Sequence, residues 1–471
     1  MNTLADHPPH AIDAPSTAIE QRLDQVEAFG AQLGQAIEQL VAAVVEVQKG
    51  PGAEIEALKA RLKETEQQLA LERATRDLAQ VSRMHPKARR VVFVGTTYFG
   101  CNIKYAWLAA QQQAEARGFE AWFLPYHAEQ AQIVAGLGGR CLPPAHAQWK
   151  AEHLHVALSA GVVVTSDHLL NPNPYAAALL AGARQVQLWH GVSIKEIGLR
   201  NLPGGRALGP HLARVLATCG PFASMLGTAA AGEDEWRRWF AFERYAPLGY
   251  PRNDVLLREP TEADLAGCDR EAYDRARTTR SRGKRVILYA PTFRDGRPDW
   301  VLQAGLNRLA QAAAQGGDLL AVALHPVEAA TVPKLAPLLP GVVFVTPRTD
   351  LYPLLGQASA LVTDYSSIMF DYLCLDRPVL WFRPDHAAYT QTSRRLFDDK
   401  LRALPGPVFD DAAALAKALR RADLAQSAEH AALRRELHRT WFDHADGRAA
   451  ERVLDLIGEE LDRAGAPIVQ A

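Results

Sequence analysis

Apolar positions change period along this chain, and the changes divide it. From Ala18 onward Ile19, Leu23, Val26, Leu33, Ile37, Leu40 and Val44 recur at three- and four-residue intervals, until Gly50-Pro51-Gly52 interrupts. A second run, Ile55, Leu58, Leu62 and Leu69, follows among Glu, Lys, Arg and Gln. This pattern predicts an α-helical hairpin or coiled coil with one break over residues 18–84. Its apolar stripe is too narrow for burial in a globular core, so a homo-oligomer seam is the favoured role, ahead of a helix pair folded back on its own chain. Membrane-surface binding ranks third, because the polar face carries both signs of charge. Residues 1–17, rich in Pro, His and Ala, have the composition of a disordered segment.

Beyond residue 84 the pattern becomes short apolar runs alternating with helical stretches. Val91–Val94 reads as a strand, followed by the small-residue loop Gly95-Thr96-Thr97-Tyr98-Phe99-Gly100 and a helical stretch through Trp107 and Leu108. Glu120–Leu124, Gly161–Thr165 and Gln185–Trp189 are further strands, with Ala131–Leu137 as helix or loop and a helix near Tyr175–Ala183. A charged helical stretch, Glu259–Lys284, leads into a second series: Arg285–Tyr289, Leu319–Leu324, Val342–Val345, Ala360–Val362 and Pro378–Phe382. Alternating strands and helices predict two Rossmann-like α/β domains with parallel sheets. The division is 85–258 for the first, 259–425 for the second and 426–471 for closing helices.

In open α/β sheets ligands bind beyond the carboxyl ends of the strands, and the polar residues of both halves collect there. Gln185–Trp189 ends in His190-Gly191, Gly161–Thr165 in Ser166-Asp167-His168, and Leu319–Leu324 in His325-Pro326. Arg285–Tyr289 runs into Ala290-Pro291-Thr292-Phe293-Arg294-Asp295, and Ala360–Val362 into Thr363-Asp364-Tyr365-Ser366-Ser367. Ser366 and Ser367 are good caps for a helix carrying Ile368, Phe370 and Tyr372, whose amino-terminal amides would receive a phosphate. The plainer alternative is an ordinary capped helix. His190 is either a strand-edge histidine bonded to a carbonyl or a general base freed by Gly191; an imidazole titrating near 6.5 suits activation of a hydroxyl. His325 poses the same choice. Arg294 offers a fork for phosphate oxygens or an ion pair with Asp295. No metal-ligand spacing, P-loop or nucleophile elbow is present, and the glycine spacing after Val94 is not a dinucleotide fingerprint.

The remaining composition removes other classes. A length of 471 residues allows two or three domains, and a net charge of −1 argues against a dedicated nucleic-acid partner. Cys101, Cys141, Cys219, Cys268 and Cys374 are scattered without redox or metal spacing, which predicts reduced thiols and a cytoplasmic protein. The start has no signal-peptide pattern and no window of eighteen apolar residues occurs, so any membrane contact is expected to be peripheral.

Trp189-His190-Gly191 with Lys195 and Gly198, then Gly249-Tyr250-Pro251-Arg252-Asn253-Asp254, Ala290–Asp295, His325-Pro326, and Thr363–Ser367 with Phe370-Asp371, taken in that order, resemble the CDP-glycerol glycerophosphotransferase family of teichoic-acid and capsule synthesis. The likeness covers about Val91 to Asp410, with Asn102-Ile103-Lys104-Tyr105 resembling the family's first-domain loop. It implies a GT-B-like fold and transfer of a polyol phosphate from a CDP-activated donor, CDP-glycerol or a similar CDP-polyol, to an acceptor hydroxyl on a polymer or lipid-linked chain. By that likeness His190 is the candidate base and His325 stabilises the donor diphosphate or the leaving CMP. Arg294, Thr292, Asp364, Ser366 and Ser367 form the donor site, supported by Gly191, Lys195, Arg252, Asn253 and Asp254. A lipid-linked acceptor would place the enzyme at the inner face of the cytoplasmic membrane. Val192-Ser193 stands where the family often has Thr-Pro, and Arg394-Arg395 where it has Arg-Gly, which leaves the acceptor undefined.

Two rival readings remain: a GT-B glycosyltransferase using a nucleotide sugar, which would release a nucleoside diphosphate, and a non-catalytic coiled-coil scaffold. Histidines at two strand ends argue against the second.

Overall fold

A computed structural model describes residues 33–44, 52–167, 173–195, 197–200, 216, 218–294, 300–392 and 404–465. The expected disordered segment, the break at Gly50-Pro51, His168, Asp295 and Arg394-Arg395 lie outside the described residues. The chain divides into two compact units, Met1–Asp77 and Leu78–Ala471. In the first, residues 33–44 are helical, and the helix Gly52–Met84 begins there and ends in the second.

The second unit holds two parallel sheets. In the first, β1 (Ala88–Val94), β2 (Glu120–Leu124), β3 (Ala160–Thr165), β4 (Arg184–Gln187), β5 (Phe222–Gly227) and β6 (Phe242–Pro247) are ordered β2-β1-β3-β4-β5-β6. Central β3 is buried along its whole length, as expected of a parallel strand covered by helices on both faces. The second sheet comprises β7 (Val286–Ala290), β8 (Leu319–Val322), β9 (Val343–Phe344), β10 (Ala360–Thr363), β11 (Val379–Phe382) and β12 (Val408–Phe409), ordered β12-β11-β10-β7-β8-β9. Both orders reverse direction once, between β1 and β3 and between β7 and β10. A crevice opens at the carboxyl ends of the strands on either side of such a reversal.

Several elements differ from expectation. The apolar runs do not single out β5 and β6, because Ser224 interrupts one and Glu243-Arg244 the other. Ser224 is tolerated in the core because its hydroxyl donates to Glu460 Oε1 at 2.8 Å. Ala131–Leu137, read as helix or loop, falls on the helix Ala128–Gly136 and its cap Leu137, and the helix near Tyr175 shrinks to Ala176–Leu179. Asn102-Ile103-Lys104-Tyr105, likened to the family's first-domain loop, lies at the start of the helix Cys101–Gln113, where the pattern through Trp107 and Leu108 predicts a helix. The last helix, Ala449–Arg463, returns to the first domain, burying Val453, Leu454, Leu456, Ile457 and Leu461. Asp254 caps it, accepting from the Ala449 and Ala450 amides at 3.0 and 2.8 Å.

Two buried ion pairs join the domains. Lys104 Nζ donates to Asp350 Oδ2 at 2.7 Å and to the Asp264 carbonyl at 2.5 Å, and Tyr105 donates to the same Asp350 oxygen at 2.6 Å. Arg252 Nη2 donates to Asp371 Oδ2 at 2.6 Å, and Tyr352 also donates to that oxygen at 2.7 Å. Removing one member of such a pair leaves a buried charge unmatched, so these contacts hold the domains in one arrangement.

Candidate active site

A cavity of about 410 Å³ lies between the strand ends of the two domains, lined by His190, Ser193 and Lys195 from the first and Thr292, His325, Ser366 and Ser367 from the second. His190 is exposed and stands just past β4 on a strained loop. Trp189 has φ 52°, in the left-handed region that non-glycine residues rarely occupy, and Gly191 has φ 151°. The His190 ring stacks on Trp189 at 4.3 Å between centroids, and its Nδ1 lies 3.2 Å from the Ser166 carbonyl. A carbonyl can only accept, so Nδ1 carries the proton and Nε2 is left with a lone pair.

His325 is arranged the opposite way. The Val327 amide donates to its Nδ1 at 3.2 Å, so the neutral ring carries its proton on Nε2. Burial, and secondly the positive charge of Lys195, hold its pKa below the ordinary histidine value. The cavity therefore has a proton acceptor on one wall and a neutral N–H donor on the other.

Behind the donor wall, Asp364 is fully buried and ties β10 to β7. Its Oδ1 accepts from the Thr292 and Tyr365 amides at 2.8 and 2.5 Å, and its Oδ2 accepts from Arg294 Nη2 at 2.9 Å. Arg294 also reaches Asp385 through Nε and Nη2 at 2.8 and 2.9 Å, and the Thr292 carbonyl through Nη1 at 2.6 Å. Its fork is engaged by two carboxylates one layer beneath the cavity, where it shapes the Thr292 loop. Thr292 Oγ1 is buried without a hydrogen-bond partner among the described residues, a hydroxyl placed to donate to a bound oxyanion. The helix after Ser367 has only six residues, and no side chain caps it. Ser366 Oγ comes no closer than 3.5 Å to the Ile368 amide. Hydroxyls and turn amides, more than a long helix dipole, are what this corner offers an anion.

The two walls meet at Gly191. A Cβ there would lie 2.9 Å from Ser367 Oγ and 3.3 Å from Arg252 Nη2. Arg252 Nη1 donates to the His190 carbonyl at 2.7 Å while Nη2 holds Asp371, on the helix that begins after Ser367. Arg252 thus fixes His190 relative to the serine corner from underneath. Lys195 lies on the cavity wall, its Nζ 5.4 Å from the Tyr389 ring centre. Asn253 and Asp254 face packing: Asn253 is buried near Cys374, and Asp254 caps the last helix. Sequence reasoning missed Tyr98 and Ser193 on the cavity wall and Asp385 behind it. Asp385 stands just past β11, and the strand-end rule applied to that strand would have found it. Among the described residues no three His, Cys, Asp or Glu side chains gather as metal ligands.

Paired parallel α/β domains facing across a cavity at their strand ends are the architecture of GT-B-like transferases. Within that class the chain belongs to the CDP-Glycerol:Poly(glycerophosphate) glycerophosphotransferase family, whose pattern matches residues 78–459. It is 30% identical over 232 residues to a teichoic acid poly(glycerol phosphate) polymerase of Staphylococcus epidermidis, covering 47% of this chain and 31% of that protein. It is 26% identical over 290 residues to a teichoic acid glycerol-phosphate transferase of Staphylococcus aureus, covering 58% of this chain and 70% of the relative. A variant of the wall teichoic acid polymerase TagF shares the fold, with a TM-score of 0.65 at 20% identity over 87% of this chain and 98% of that structure.

Proposed function

We propose that this chain transfers glycerol phosphate, or a related polyol phosphate, from a CDP-activated donor to an acceptor hydroxyl during synthesis of a teichoic-acid-like or capsular surface polymer. The observation that carries this reading is the pair of histidines on one cavity, His190 with its proton held on Nδ1 by the Ser166 carbonyl and His325 with an Nε2–H. His190 takes the proton of the acceptor hydroxyl as its oxygen attacks the phosphorus bearing the polyol. The new P–O bond forms as the bond to the bridging oxygen breaks, and CMP leaves with that oxygen and its electron pair. His325 donates to the departing phosphate, and Thr292, Ser366 and Ser367 hold the remaining oxygens. Positioning and charge stabilisation carry such a transfer without a covalent enzyme intermediate.

The acceptor in this reading is a polymer or lipid-linked chain, and the enzyme works in the cytoplasm at the inner face of the membrane. Membrane contact in this reading is peripheral; no described helix is long and apolar enough to cross a membrane. Self-association through the amino-terminal helices belongs to the same proposal; a monomeric mass for the full chain by light scattering would count against it.

The test of function is release of CMP from CDP-glycerol by the purified protein, with and without a glycerol-phosphate oligomer, beside His190→Ala. Acceptor-dependent release abolished in the variant is the expected result. Turnover of a nucleotide sugar with release of a nucleoside diphosphate would reassign the chain as a glycosyltransferase. Inactivity with both donors would favour the scaffold reading.

A further inference from the structure

A second cavity of about 740 Å³ adjoins the first, sharing Tyr98 and the loop Thr346-Pro347-Arg348-Thr349 with it. Its other walls include Tyr126, His127 and Glu129, so it extends along the first domain away from the histidines. The shared loop is rigidly held at both ends. Thr346 donates through its amide and hydroxyl to Asp269 at 2.8 and 2.7 Å, and Asp350 is locked by Lys104 and Tyr105. Between these anchors Arg348 is exposed and adopts φ 64°, a left-handed conformation costly for a side-chain-bearing residue. Among the described residues no carboxylate pairs with Arg348, whereas Arg252 and Arg294 are both engaged.

We propose that this groove binds the part of the acceptor already built, with Arg348 contacting the phosphodiester of the unit that precedes the attacking hydroxyl. The inference rests on the polyol-phosphate transfer proposed above and adds where the acceptor runs. An extended phosphodiester chain needs a continuous channel leading to the base, and Tyr98 lies where the two cavities join. A guanidinium suits a phosphodiester through paired N–H donors. Hydroxyl and aromatic side chains along the groove suit the uncharged polyol. Glu129 is the single carboxylate among the lining residues, and it opposes an anion there.

The test uses the full chain with CDP-glycerol and glycerol-phosphate oligomers. Arg348→Glu is expected to raise the acceptor KM at least tenfold while leaving the donor KM unchanged. Glu129→Gln is expected to lower the acceptor KM. An unchanged acceptor KM in Arg348→Glu would overturn the inference, and a raised donor KM would assign Arg348 to the donor instead. Calorimetric binding of the oligomer without donor keeps this separate from the question of function. Binding to wild type that is lost in Arg348→Glu supports the groove even where no CMP is released, and equal binding, or none to wild type, refutes it.

Discussion

Arg252 is the residue whose two jobs can be separated by substitution. Its guanidinium neutralises Asp371, which is 1% exposed, and also anchors the His190 carbonyl. Arg252→Met removes the cation with little change in volume and leaves the carboxylate buried with, among the described residues, the Tyr352 hydroxyl as its remaining side-chain donor. Breaking a buried pair from one side costs about 3–5 kcal/mol, a large share of a typical stability of about 5–15 kcal/mol. Adding Asp371→Asn removes the stranded charge while keeping an oxygen for Tyr352, so the double variant should recover most of that loss. Activity should not follow. Without Nη1 the His190 carbonyl has lost its anchor, and a misplacement of about 1 Å costs roughly a hundredfold in rate. Denaturant midpoints and steady-state CMP release on wild type, both single variants and the double variant complete the cycle. A double variant that regains wild-type turnover along with stability would refute the positioning role, and a single variant as stable as wild type would refute the energetic argument.

Gly191→Ala should fold yet lose turnover, because its Cβ would press on Ser367 Oγ at 2.9 Å and the φ of 151° costs a side-chain-bearing residue about 1–3 kcal/mol; wild-type kcat would disprove the close approach. Lys195→Met removes a cation that depresses His325, so the His325 ring should titrate at higher pH, read by NMR, and an unmoved titration would show that burial acts alone. Burial raises the Asp254 carboxyl to about 6, so the folded state favours the protonated acid, a contribution fully present below about pH 4 and lost as the pH rises through 6. The stability of wild type relative to Asp254→Asn should therefore fall by about 3 kcal/mol across that interval, and a constant difference in unfolding free energy would contradict the burial.

Much of the architecture is local and therefore readable in the chain. Runs such as Val91–Val94 and Ala360–Val362 are apolar because a parallel strand is covered on both faces, and each stops where the backbone leaves the sheet. The place of His190, His325, Thr292, Ser366 and Ser367 on the cavity wall was legible for that reason, since the chain past a buried strand's carboxyl end passes the crevice. Where a strand departs from the apolar rule, as Ser224 does in β5, its partner Glu460 lies 236 residues away, and no local pattern announces it.

The functional division among the polar residues belonged to the tertiary structure. Arg294 reads as a free fork until Asp385 and Asp364 close around it, and Asp254 reads as part of a site motif until the last helix arrives to be capped. The tautomers of the two histidines depend on the Ser166 carbonyl and the Val327 amide, one brought from a neighbouring strand and the other supplied by a turn. Composition and periodicity specify which residues are buried and where strands end, because those follow from each residue's own transfer from water. Which hydrogen-bonding groups remain available for a substrate is a property of pairs, and the folded chain decides those pairs by bringing distant segments together.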